Sequence, residues 1–270
     1  MAKKPMRVLE GSAKPYEPFW RVVDAAESES GEPEIWFYGY ISEFSWLDDD
    51  ITPAMFKADL LNVGKGGPVT VRINSGGGEV FAASAIRAMI VDYPGKVTAR
   101  IDGLCASAAT YVAMAGDRVL MQDSAFFMIH DPWMLTWGTS DELEAAAEML
   151  KTIKQGIIET YQSKTKIETE QLAKMMAAET WMTGQKAKEL GFVDEVITGS
   201  SKTFDRLQNA AILNALRDYT NVPPDLLKSS EQEPAIAEET LQNPPATRAG
   251  EDVETEREAE RLRNYLDIFG

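Results

Sequence analysis

Two rhythms of apolar and polar residues alternate along the first two hundred positions of the chain. The run Ile35-Trp36-Phe37-Tyr38-Gly39-Tyr40-Ile41, rich in β-branched and aromatic side chains, predicts a core strand. Thr52-Pro53 opens a helix through Leu60-Leu61, with Thr52 as N-cap and Pro53 at the tolerated first helical position. After a turn from Gly64 to Pro68, Val69 to Ile73 reads as a buried strand ending at Asn74-Ser75-Gly76-Gly77-Gly78, and Val80 to Ile90 returns to helical spacing. A strand over 96–101, a small-residue helix over 105–115, and strands over 118–121 and 126–129 follow. Thr139-Ser140-Asp141-Glu142 then signals a helix running to about Ser163, with Leu143, Ala146, Ala147, Leu150, Ile153, Ile157 and Ile158 on one face. Short strands alternating with helices predict an α/β fold with mainly parallel pairing.

The rhythm stops at both ends. Residues 1–30 mix Lys, Pro, Glu and Ser and read as an N-terminal extension, leaving 31–200 as the folded domain. Residues 201–270 form an acidic C-terminal tail. In it Phe204, Leu207, Ala211, Leu213 and Leu216 suggest one amphipathic helix, 221–250 has a disordered composition, and a charged helix is expected from Glu251 to Phe269.

Charge and composition narrow the function. A formal net charge of −16 argues against a protein that holds nucleic acid or an anionic membrane, since both partners are negative. The one cysteine, Cys105, excludes an intramolecular disulfide and fits a reducing cytoplasm. With one Cys and one His, a protein-built zinc site is not expected, and no cofactor is. No apolar stretch suits a signal peptide or a transmembrane helix.

Three segments can carry chemistry. The Gly76-Gly77-Gly78 turn between strand and helix can hold a phosphate or an oxyanion, but has neither the Gly-Lys-Ser/Thr of a P-loop nor dinucleotide-site spacing. Gly103-Leu104-Cys105-Ala106-Ser107-Ala108-Ala109 sets a serine among small residues where a strand meets a helix, within reach of the helix's free N–H groups; taken by itself it reads more readily as an ordinary N-cap than as a nucleophile. His130, the only histidine, ends the apolar run Phe126-Phe127-Met128-Ile129, so any histidine-dependent mechanism must use it.

Together and in order, these segments resemble the Clp protease (ClpP) family of serine peptidases. The resemblance rests on Ile73-Asn74-Ser75-Gly76-Gly77-Gly78 (Gly76 standing where a proline is usual), on Gly103-Leu104-Cys105-Ala106-Ser107-Ala108, and on Met128-Ile129-His130-Asp131-Pro132, with Asp131 for a glutamine. Thr183-Gly184-Gln185-Lys186-Ala187 with Gly191-Phe192-Val193-Asp194 supplies the last motif, and the likeness runs from about 35 to 198. It implies a ClpP/crotonase-type fold of repeated β-β-α units, with Ser107 as nucleophile and His130 as general base. The oxyanion would be held by the amides of Ala108 and of Gly77 or Gly78, of which Gly78 matches best. The family's aspartate falls on Glu179, with Asp131 and Asp123 as competitors. Rings, commonly two stacked heptamers, are implied as well.

The long extension and acidic tail look most like the ClpP-like head-maturation (prohead) proteases of tailed bacteriophages. Those act on protein substrates such as scaffold, capsid or portal precursors, without an ATP-dependent unfoldase. Alternatives are a bacterial ClpP paralogue working with an unfoldase, a coenzyme A enzyme of the crotonase group, a Ser-Lys peptidase using Lys151 or Lys154, and a non-catalytic capsid-assembly scaffold.

Overall fold

The computed structural model describes residues 20–28, 31–44 and 50–198, together with Leu216, residues 219–224 and Leu226. All of them lie in the first of the chain's two compact units, residues 1–231. Phe204, Leu207, Ala211 and Leu213, and the helix expected over 251–269, fall outside the described residues.

One mixed sheet carries the fold. Its main path runs β1 (Trp20–Val23), β2 (Glu34–Ile41), β4 (Val69–Gly78), β5 (Val97–Ala106), β6 (Arg118–Gln122) and β9 (Glu195–Ile197). The short β3 (Asp50–Ile51) pairs with β2, while β7 (Phe126–Ile129) branches from β5 and pairs with β8 (Thr180–Thr183). Pairing is parallel except at β1–β2 and β7–β8. This is the expected α/β architecture, with one addition: β1 forms a strand inside the segment read as an extension.

Helices α1 (Pro53–Gly64), α2 (Val80–Asp92) and α3 (Ala108–Ala113) connect the parallel strands. Thr52 caps α1 as anticipated, its side chain accepting from the Met55 N–H at 3.2 Å. Ile35, Phe37, Phe56, Ile73, Ile86, Ile101, Phe127 and Phe192 are fully buried and form the core between sheet and helices.

Two strands outrun their expected ends, and both extensions shape the site. β4 does not turn at Asn74 but continues to Gly78, because Tyr40 and Ile41 of β2 pair with Gly77 and Gly78 across a bulge. β5 likewise continues to Ala106, so Cys105 and Ala106 are strand residues rather than the start of a helix. They are held by pairing with Phe127 and Met128 of β7.

On one face of the sheet lies a buried charge cluster. Asp102 accepts from Arg72 Nε and from the Tyr38 hydroxyl, each at 2.6 Å, while Arg72 also reaches Glu34 at 3.3 Å. Burial works against the charge on Arg72, but Asp102 outweighs it and holds the guanidinium protonated.

Helix α4 (Ser140–Thr165) begins with a capping box, in which Thr139 and Glu142 satisfy each other's backbone donors. Of the apolar face read along it, Ile157 and Ile158 are buried, whereas Leu143 is 43% exposed. Helices α5 (Thr169–Ala177) and α6 (Gly184–Glu189) flank β8. Among the described residues no helix is long and apolar enough to cross a membrane.

Candidate active site

Ser107 is placed by a strand that stops and a helix that starts at the same residue. It occupies the N-cap position of α3 with φ 55° and ψ −128°, in positive-φ territory that L residues avoid. Holding a non-glycine residue there costs on the order of 1–3 kcal/mol and needs surrounding bonds to enforce it. The Ser107 N–H donates to Met128 O at 2.9 Å, its carbonyl accepts from the Thr110 N–H at 3.0 Å, and the Thr110 hydroxyl bonds the same carbonyl. Thr110 is itself 2.6 Å from the buried Tyr161 hydroxyl. The Ser107 side chain makes no cap bond to the helix. It is turned outward instead.

The partner it meets is His130. Because Ala106 pairs with Met128 in the parallel β5–β7 register, Ser107 and His130 leave neighbouring strand ends with an offset of one position. Ser107 Oγ stands 2.7 Å from His130 Nε2. Burial pushes the His130 pKa below its ordinary value, against the opposing fields of Glu179 and then Asp131. The imidazole is thereby kept neutral near pH 7, as a proton acceptor must be.

The antiparallel β7–β8 ladder brings in Glu179. Ile129 pairs with Thr180, so Glu179 is the next position opposite His130. Its backbone is also left-handed, with φ 48°. The carboxylate does not hydrogen-bond the imidazole. Oε1 accepts from the Asn221 N–H at 2.6 Å and the Trp181 indole N–H at 3.1 Å, and Oε2 accepts from the Thr220 N–H at 2.9 Å. Burial opposes its ionisation, but the Thr220 and Asn221 amides, the Trp181 indole and the field of His130 prevail and hold its pKa below the usual glutamate value.

Of the rival acids and bases, Asp131, Lys154 and Lys151 are held in ion pairs. Asp131 is ion-paired to Lys154 at 2.7 Å. Lys151 bonds Glu148 on the exposed side of α4. Asp123 lies in the turn after β6, where its N–H bonds Ile197 O at 3.0 Å.

The two central glycines face different ways. A Cβ on Gly77 would lie 2.7 Å from Ser107 Cβ and 3.0 Å from Ala108 N, whereas one on Gly78 would strike Ile41 O at 2.1 Å. The Gly77 N–H is bonded to Ser75 Oγ at 3.1 Å, and Ser75 in turn donates to Gly39 O at 2.6 Å. Glu79 N–H bonds Ile41 O at 2.8 Å, so strand alternation aims the Gly78 N–H away from β2. The Ala108 N–H is a first-turn donor of α3 with no helical acceptor. Next to the serine is a small apolar pocket walled by Val80, Ala83, Tyr111, Pro132, Ile157 and Tyr161. Among the described residues no cluster of three or more His, Cys, Asp or Glu is arranged to hold a metal ion.

Sequence reasoning missed Ser75, Thr110, Trp181 and Tyr219 to Asn221. The first three sit beside motif residues and could have been flagged by proximity. Nothing in the polar composition around 219–221 signals contact with a site more than forty residues earlier in the chain.

Known proteins share this chain's sequence pattern and fold. The Clp protease family model matches residues 47–200. ATP-dependent Clp protease proteolytic subunit 1 of Protochlamydia amoebophila is 33% identical over 153 residues, covering 55% of this chain and 73% of that one. Its counterpart from Corynebacterium jeikeium is 30% identical over 164 residues, with 59% and 87% covered. In three dimensions a ClpP1 mutant from Listeria monocytogenes superposes with a TM-score of 0.54 at 24% identity, covering 63% of this chain and 94% of that one. With more than half of its length matched by the family model, and with the same fold, the chain belongs to the Clp protease family of serine peptidases.

Proposed function

We propose that the chain is a serine endopeptidase in which Ser107 is the nucleophile, His130 the general base and Glu179 the acid. The observation that carries this reading is the 2.7 Å contact between Ser107 Oγ and His130 Nε2. Ser107 Oγ attacks the scissile carbonyl carbon as His130 Nε2 takes the hydroxyl proton. The carbonyl oxygen gains the negative charge and is met by the Ala108 N–H, free at the start of α3, and by Gly78 N–H; Gly77, whose N–H is bonded to Ser75, shapes the turn. Collapse breaks the C–N bond, His130 returns its proton to the leaving amine, and an acyl-serine remains. Water, deprotonated by His130, then releases the acid and restores the serine. Glu179 supports the imidazolium through its field. The apolar pocket beside Ser107 suits a substrate with an apolar side chain before the cleaved bond.

This chemistry consumes no nucleotide, and the reading extends to ATP-independent cleavage of scaffold, major capsid or portal precursors inside an immature phage head, by a homo-oligomeric ring in the host cytoplasm. Supporting it are the acidic segment beyond the family match and the extension before it. A second reading, a subunit serving an ATP-dependent unfoldase, is favoured by the names of the related Clp subunits. Intact masses of wild type and Ser107→Ala, expressed side by side, test the first. Terminal segments lost only in the wild type establish self-processing; equal masses, together with cleavage of folded protein only when an unfoldase and ATP are added, establish the second.

A further inference from the structure

The stretch Tyr219–Asn221 lies beyond the family match, which ends at residue 200, yet it touches three separate parts of the site. Tyr219 packs the edge of its ring against His130, with centroids 5.2 Å apart and planes at 82°. Its hydroxyl donates to Gly76 O in the glycine turn. The next two residues turn their N–H groups onto the two oxygens of Glu179. Asn221 Nδ2 also bonds Ala178 O at 3.2 Å, fastening the segment to the backbone that carries the acid.

The stretch is anchored on both sides. Leu216 and Leu226 are 3% and 2% exposed and pack on Leu104, Ala106 and Met128. Those three residues belong to the strands that deliver Ser107 and His130. Trp181 joins the contact, its ring 5.8 Å from that of Tyr219 while its indole N–H holds Glu179. A peptide tethered by two buried leucines and bonded to the acid, with its ring on the base, restricts the freedom of both.

We infer that Tyr219, Thr220 and Asn221 are positioning residues of the active site: they fix the Glu179 carboxylate and bound the His130 ring, so the working site extends past the family domain. The inference rests on the peptidase reading above. Positioning of this kind acts on the rate of the chemical step more than on substrate binding. It also acts on the base, because Glu179 and Asp131 are the acids whose fields reach His130, and Asp131 is already paired with Lys154.

The test compares full-length wild type with Tyr219→Ala, Tyr219→Phe and Asn221→Pro, the last of which removes one N–H donor to Glu179. Rates on a fluorogenic peptide with leucine before the cleaved bond are divided by the number of sites titrated with a fluorophosphonate, so that unfolded protein does not count. Tyr219→Ala and Asn221→Pro are expected to lower kcat on the order of tenfold with KM little changed. The acid limb of kcat/KM should move to lower pH as Glu179 loosens from His130. Tyr219→Phe, which keeps the ring and loses the hydroxyl, should fall between. Per-site kcat and pH profiles equal to wild type overturn the inference while leaving the peptidase intact. A rise in kcat also overturns it, by showing that the segment restrains the site. Wild type that neither labels at Ser107 nor cleaves peptide removes the peptidase reading and this inference with it.

Discussion

A methyl group placed on Gly77 would stand 2.7 Å from the Cβ of Ser107 and 2.8 Å from Ala106 O. Gly77 also has a φ of 100°, which L side chains rarely adopt. Gly77→Ala must therefore push the glycine turn and the nucleophile apart, and the displaced contact is the one proposed for chemistry. Peptide hydrolysis is expected to fall on the order of a hundredfold or more, since misplacement by about an ångström has that effect. The fold should survive with a lower melting temperature, so circular dichroism and a peptidase assay on the same sample check both halves.

The positive φ of Ser107 makes a separate prediction. Glycine tolerates that backbone, whereas alanine inherits the same strain. Ser107→Gly and Ser107→Ala should both be inactive, yet the glycine variant should be more stable than the alanine variant, by about 1 kcal/mol. Urea denaturation of the two proteins measures the difference.

Activity should depend on pH through His130. Its folded pKa is depressed by burial, so kcat/KM should rise with pH along a limb centred below the ordinary histidine value and be flat by neutrality. The sign for stability is the same. The unfolded chain binds the proton more readily than the folded one, so His130 and Glu179, both lowered, destabilise the fold as pH drops through their unfolded and then folded pKa values. Glu179→Gln removes a charge that raises the His130 pKa, and should move the limb to lower pH. It should also cut kcat by about ten- to a hundredfold, less than for a triad acid bonded directly to its histidine. A pH–rate series on both proteins decides it.

The buried cluster around Asp102 predicts a purely structural effect. Arg72→Leu leaves Glu34 without its cation and Asp102 with Arg100 as its remaining partner at 3.0 Å. Breaking such a pair from one side is expected to cost about 3–5 kcal/mol. Replacing Arg72, Glu34 and Asp102 together by apolar residues should recover much of that loss, which guanidinium unfolding would show.

Much of the fold was legible because burial imposes period. The strand at Ile35–Ile41, the Thr52 cap of α1 and the start of α4 at Thr139–Glu142 follow from local patterning, and all three are found where expected. The ends of β4 and β5 were not legible. They are set by Gly77–Gly78 pairing with β2 and Cys105–Ala106 pairing with β7, and no local pattern reports a partner strand. Small residues from Cys105 onward look helical by propensity, and tertiary pairing overrides it. At the candidate site, Ser107 and His130 were singled out by the order of their segments and by the family resemblance rather than by either segment alone, and their side chains lie 2.7 Å apart. The Glu179 environment was not, since its three hydrogen bonds depend on Trp181 and on a return of the chain at 220–221.

The β7–β8 ladder has a consequence for how the protein fails. β8 is a four-residue strand bonded to β7 alone, and it carries the acid on its leading end, while Ser107 hangs from β5, between β4 and β6 in the main sheet. A short peripheral strand held by one neighbour can fray with less free energy than the whole domain needs to unfold. Amide hydrogens of Thr180 to Thr183 should therefore exchange faster than those of Val97 to Ile101. Mild denaturant should silence catalysis in molecules whose central sheet is still intact, reversibly, with the signal of Trp181 in β8 changing before the far-UV circular dichroism of global unfolding does.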